Sequence, residues 1–251
     1  MAPGVAAGCD RGNVPPVATT ELVKGVRATR STIALKLAMA TSGIIFILFV
    51  LLHMYGNLKA FAGHDAYDTY AEHLRTLGTP MLPHSGALWI LRVVLIVSLI
   101  VHVASAAALW KRANRARRTK YQVKRNVASS LSSRTMRWGG LAILLFLIWH
   151  LINFTIVKVN IGGGATNDPY NLLVDTFKAQ GGWMTAIYLL AMLALALHLH
   201  HGTFSAFQTL GMTNNAKSRA NARIAGWVVA IVIAGGFSLV PLFVVFGVIT
   251  K

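Results

Sequence analysis

Acid is scarce in this chain. Seven Asp and Glu stand against 24 Lys and Arg, and residues of either charge fill only 12% of its 251 positions, about half the roughly 25% share of soluble domains. The seven (Asp10, Glu21, Asp65, Asp68, Glu72, Asp168 and Asp175) all fall outside the long apolar runs. That is where they belong if those runs sit in hydrocarbon, in which a carboxylate is expensive. The shortage excludes an ordinary water-soluble fold. Cysteine is nearly absent too: Cys9 stands alone, which rules out an internal disulfide and an all-Cys metal site, so any metal must be held by histidine. Residues 1–32 lack the apolar core of a signal peptide, so the N-terminus is expected to stay cytoplasmic, with Met1 to about Thr20 as a flexible tail rich in Gly, Ala and Pro. Gly162-Gly163-Gly164 lacks the strand-then-helix setting of a phosphate loop and reads as an external connection.

Apolar sequence is what the chain has in quantity, at 55% of its residues. Runs near 33–59, 88–110, 138–157, 183–208 and 224–249 are each long enough to cross about 30 Å of hydrocarbon at 1.5 Å per residue. Only helices satisfy their own backbone over such lengths in lipid. The expected fold is therefore all-α: a cytoplasmic tail over 1–32, then a five-helix membrane domain over 33–251. Lys and Arg concentrate on one side of this topology, in the N-terminal segment through Lys36, between Lys111 and Arg137, and between Lys217 and Arg223. Lys59, Arg75, Lys158, Lys178 and Lys251 lie on the other. The asymmetry puts the N-terminus inside and the C-terminus outside. It accounts for the net charge of +17 without nucleic acid, and leaves a basic cytoplasmic face that could dock soluble proteins. Trp89, Trp110, Trp138 and Trp183 mark span ends. The loop over 63–86 is long enough for a short amphipathic helix, Ala66 to Leu77, stopped by Gly78 and Pro80.

Spans one to four each contain a deep histidine: His53, His102, His150 and His198. An imidazole in hydrocarbon must be hydrogen-bonded or metal-bound, and one per helix points to a cofactor. No other internal repeat is evident. Counting from span ends puts His53 and His150 in the outer half, and His102 and His198 roughly 12 to 15 Å from the cytoplasmic end. Two pairs at matching depths are what bis-histidine ligation of two stacked b haems requires. Gly56, Ser105, Ala106 and Gly202, one turn past their histidines, are read as allowing close helix approach to a flat porphyrin, with plain helix packing as the alternative. His201 shares roughly one face with His198 and could contact a propionate or a quinone, or ligate in its place, while His200 points away. His64, His73 and His84 are loop residues, one of which could exchange protons.

At these residues the chain resembles the single-subunit, five-helix, di-haem cytochrome b anchor of succinate dehydrogenase and fumarate reductase. The likeness runs from about Leu35 onward, through Leu52-His53-Met54-Tyr55-Gly56-Asn57-Leu58-Lys59, Val101-His102, Trp149-His150-Leu151 and His198-Leu199-His200-His201-Gly202-Thr203-Phe204. It implies axial ligands paired first span with third and second with fourth, selects His198 over His201, and leaves the fifth span without one. It further implies a plasma-membrane subunit of respiratory complex II. A flavoprotein with FAD and an iron–sulfur protein would sit on its cytoplasmic face and pass electrons between succinate and a quinone, expected to be menaquinone. Arg92, read as a buried guanidinium, is a candidate propionate partner, and Lys59 could snorkel to the same place or mark the interface. Asp68, Tyr70 and Glu72 are candidates for quinone proton transfer at the outer end, and Ser31 and Lys36 at the inner end. The alternatives are the cytochrome b anchor of a hydrogenase or formate dehydrogenase, and a membrane transporter, which should show broken helices and paired repeats.

Overall fold

The computed structural model describes residues 31–116, 131–159 and 167–251. The expected N-terminal tail with Cys9, and the Gly162–Gly164 connection, lie outside them. Seven α-helices follow in order among the described residues: α1 (Thr32–Leu58), α2 (His64–Thr76), α3 (Gly86–Arg115), α4 (Leu131–Leu151), α5 (Pro169–Lys178), α6 (Trp183–Thr209) and α7 (Ala216–Val245). Five of them, α1, α3, α4, α6 and α7, are long and apolar enough to cross a membrane. With no strand among the described residues, the fold is the all-α membrane bundle that the apolar runs demanded, and the protein is a multi-pass membrane protein.

The helix ends are written in local chemistry. Ser31 Oγ accepts from Ala34 N at 2.9 Å to cap α1. Asn215 and Ser218 cap one another reciprocally at the start of α7, which offsets the unpaired amides of a first turn. Two spans begin earlier than hydropathy suggested. α4 starts at Leu131, not 138, and α7 at Ala216, not 224. Their first turns hold Ser, Arg, Lys and Asn, which are helical while lying beyond the apolar stretch, so a hydropathy count misses them.

α1 is the hub, packed on α3, α6 and α7, while α6 packs on both α4 and α7. The α6–α7 seam is close because Gly226 has no side chain: a Cβ there would sit 2.7 Å from the His200 carbonyl oxygen. Gly236 of α7 likewise receives Met54 of α1. By contrast α1 and α4 make at most marginal backbone contact, and so do α3 and α6.

Burial is concentrated at the end carrying α2 and α5. There Tyr170, Leu173, Val174 and Phe177 of α5 join Ala60, Met184, Tyr188, Val240, Val244 and Ile249 in the main apolar cluster. α5 was not anticipated from the sequence. Asp168 caps it through Asn171 N at 2.9 Å, Pro169 opens it, and its apolar face plugs the bundle end. α2 runs His64–Thr76, close to the expected 66–77. Elsewhere the spans expose large apolar side chains such as Val93, Ile96, Leu190 and Ile231, a surface suited to lipid.

Candidate functional site

The four deep histidines meet in two pairs. His53 of α1 and His150 of α4 have ring centres 5.8 Å apart with planes crossing at 83°. His102 of α3 and His198 of α6 are 6.2 Å apart at 54°. Each pair reaches across one of the two gaps where the supporting helices do not pack. A metal held between two imidazole nitrogens at about 2 Å on each side separates the ring centres by roughly 6 Å, so the donor set and spacing fit a bis-histidine haem in each layer. The layers are about ten residues apart along α1 and α4, roughly 15 Å of helix.

Aromatic rings wall the first pair: Phe49 stacks on His53 at 5.4 Å, Phe237 lies 5.7 Å from it, and Phe146 and Phe154 lie 5.9 and 5.3 Å from His150. Glycine marks the second. A Cβ on Gly43 of α1 would meet His102 Cε1 at 3.5 Å, and one on Gly140 of α4 would meet His198 Cε1 at 3.6 Å. Gly43 precedes His53 by ten residues and Gly140 precedes His150 by ten. The same spacing in spans one and three is a repeat that the sequence reading overlooked. Gly56, read as a porphyrin-facing glycine, instead has Tyr70 of α2 packed on it.

Behind the rings, two of the four have partners on Nδ1. His102 Nδ1 lies 3.1 Å from Ser42 Oγ, whose own proton goes to Ala38 O at 2.8 Å. His150 Nδ1 lies 3.4 Å from Tyr188 Oη. His198 Nδ1 is buried without a hydrogen bond. A metal-ligating imidazole normally donates its second nitrogen in this way, which fixes the tautomer and raises ligand basicity.

The remaining candidates fall elsewhere. Arg92, expected to be buried, is exposed, with its guanidinium over Trp89 at 4.9 Å; near a span end, stacking on an indole satisfies it without an anion. Lys59 lies over Tyr55 at 5.1 Å. His200 stacks on Trp227 at 4.2 Å and bonds Ser132 Oγ at 3.0 Å, which ties it to helix packing, while His201 is half-buried. Ser31 is the cap of α1 and Lys36 is exposed. Tyr70 packs on Gly56, one turn past His53. Glu72 instead pairs with Arg75 at 2.9 Å and His84 at 3.2 Å, bonds that hold its carboxyl below the usual range.

Asp68 takes part in a loop cluster. His64 Nε2 lies 2.7 Å from Asp168 Oδ2 and 3.5 Å from Asp68 Oδ2, and its Nδ1 lies 3.2 Å from Asp65. The bond to Asp168, then that to Asp65, raises the His64 imidazole to about 9. Burial, followed by the charge of Asp168, pushes the Asp68 carboxyl up.

Residues 111–238 match the family model of the succinate dehydrogenase/fumarate reductase transmembrane subunit. The chain belongs to this family. No curated protein and no solved structure gives a significant match. The matched region takes in α4, α6 and most of α7, hence one histidine of each pair. As a succinate dehydrogenase/fumarate reductase transmembrane subunit, the protein is a membrane anchor of that complex. Membership in this family sets aside the hydrogenase, formate dehydrogenase and transporter readings.

Proposed function

We propose that this transmembrane subunit binds two b haems, one on His53 and His150 and one on His102 and His198, and carries electrons through them between an iron–sulfur partner and a membrane quinone. The two haems supply reversible one-electron chemistry at two depths. The protein contributes ligands at fixed spacing, apolar walls that exclude water, and bundle geometry that holds α1 apart from α4 and α3 apart from α6. The observation carrying this reading is that both imidazole pairs span gaps between helices at the separation an iron would set.

The basic end, with the Lys and Arg of 111–137 and 217–223, is assigned to the cytoplasm, where the flavoprotein and iron–sulfur subunits dock. Succinate is then oxidised, or fumarate reduced, by those subunits and not by this chain. The α2/α5 end faces outward in a bacterial-type plasma membrane, and Tyr70, backed by Asp68 and Glu72, is the proposed proton-exchanging group for a quinone there, with menaquinone as the expected quinone. Arg92 and Lys59 keep only an interfacial role in this scheme, and His201, Ser31 and Lys36 remain candidates at the basic end.

The purified complex should show a low-spin b-type spectrum with two haems per copy of this chain. His53→Ala and His150→Ala should each abolish the same haem, and His102→Ala and His198→Ala the other. Assembled complex without Soret absorbance, or loss of both haems from every single variant, overturns the assignment.

A further inference from the structure

Tyr188 has no place in the sequence reading, yet it sits at the centre of a polar chain buried in the bundle's apolar end. Its ring is packed edge-on by Phe146 at 4.8 Å and Phe177 at 4.9 Å, which leaves the hydroxyl little freedom. That hydroxyl meets His150 Nδ1 at 3.4 Å and is also hydrogen-bonded with the side chain of Asn153. Asn153 is 0% exposed and lies in a π-helical turn, Ile152–Ile156, that begins two residues after His150. Such single π turns recur at functional sites. Asn153 Nδ2 in turn faces Thr176 Oγ1 of α5 at 3.4 Å, and Thr176 is itself 0% exposed.

The direction of each bond follows from the last link. Thr176 Oγ1 donates to Leu172 O at 2.7 Å, so towards Asn153 it can only accept, and Asn153 must present its amide NH2 there. Its Oδ1 is left buried with no partner, so the amide is held through its N–H groups alone. The second N–H of the same amide is what meets the Tyr188 hydroxyl oxygen, so Asn153 donates to both Thr176 and Tyr188. A His150 that holds iron through an unprotonated Nε2 carries its proton on Nδ1, and Tyr188 Oη, with two lone pairs, is the acceptor 3.4 Å away.

We infer that Tyr188 is the positioning residue for the His150 haem ligand, aligned by Asn153 and Thr176, and that it lowers the reduction potential of that haem relative to one whose ligand has no such acceptor. This rests on the di-haem reading above. An acceptor on Nδ1–H makes the imidazole a stronger electron donor and favours the oxidised metal. Because the chain ends on α5, it also couples the ligand to the helix that plugs this end of the bundle.

The test is a redox titration of the purified complex carrying Tyr188→Phe, which keeps the ring packing and removes only the hydroxyl. Thr176→Val runs in parallel, leaving Tyr188 and its ring neighbours in place. His53→Ala identifies which potential belongs to the His53/His150 haem. The expected result is two haems per complex, with that haem's potential raised in Tyr188→Phe and raised by less in Thr176→Val, while the other potential stays fixed. Ser42→Ala, which removes one acceptor beside His102 and leaves the Met39 backbone, should move only the other potential. Two haems with unchanged potentials in both Tyr188→Phe and Thr176→Val overturn the inference while leaving the di-haem reading intact. Absence of haem from the wild-type complex overturns the di-haem reading itself.

Discussion

The two ends of the bundle solve the same problem with different means. At the α2/α5 end, His150 is backed by a three-residue chain through Tyr188 and Asn153 to Thr176, inside an apolar cluster built from α5, α6 and α7. At the basic end, His102 is held by Ser42 Oγ and the Met39 backbone of the neighbouring helix, and His198 Nδ1 has no hydrogen bond. Packing follows the same gradient: the second cluster comprises Leu199, Ala230 and Ile233 with their half-buried neighbours. One end carries its own support within this chain. The other is held by close helix approach, with Gly43 and Gly140 letting the His102 and His198 rings lie against bare backbone.

The strongest way to break this contrast is to undo the plug. Leu173 of α5 is 2% exposed in the main cluster, and Leu173→Ala should cost about 2–5 kcal/mol through lost burial and a cavity. The cost should fall on one end. In thermal melts followed by absorbance, the His53/His150 haem should be lost at a lower temperature than in the wild type, and well before the His102/His198 haem. Simultaneous loss of both would show that the ends are not independently supported.

A smaller effect is expected from the glycines. Gly43→Val or Gly140→Val adds branches where a bare Cβ already reaches 3.5 or 3.6 Å from an imidazole carbon, and overpacking of this kind typically costs about 1–3 kcal/mol. Both variants should broaden or shift the spectrum of the His102/His198 haem and spare the other, as read by difference spectra of the reduced complex. Equal disturbance of both haems would mean that the glycines serve general helix packing.

The five spans and the two histidine layers could be read from sequence because both signals are local. A run of some twenty apolar residues has one solution in lipid, and a histidine inside such a run stands out against its neighbours. Counting from span ends then pairs the imidazoles that meet in the structure, since helical rise converts sequence position directly to depth. The supporting chemistry was hidden for the opposite reason. Tyr188 reaches His150 across 38 positions and Asn153 reaches Thr176 across 23, and a single tyrosine or asparagine carries no mark of its distant partner. α5 was legible in principle, because Asp168-Pro169 is a helix-start signal, but ten residues beside a glycine run read as loop. Arg92 misled because its place in an apolar run suggested burial, whereas the bundle leaves α3 packed chiefly on α1 and open elsewhere.

The smallest effect sharpens the comparison at the surface of the supported end. His64 joins α2 to the cap of α5 through Asp168 at 2.7 Å, and its folded-state value of about 9 lies above the ordinary 6.5. A raised value means that the native state holds the proton more tightly. The resulting stability is fully present below about pH 6.5 and is lost as pH rises through about 9. His64 is partly exposed, so solvent screens the gain. The melting temperature of the wild-type complex should therefore exceed that of His64→Gln at pH 6, with the gap closing by pH 10. Because the contact lies at the α2/α5 end, the gap should appear in the melt of the His53/His150 haem and be absent from that of the other. A constant difference across this range would mean that the His64–Asp168 contact contributes through packing, and that charge has no part in tying the loop helices together.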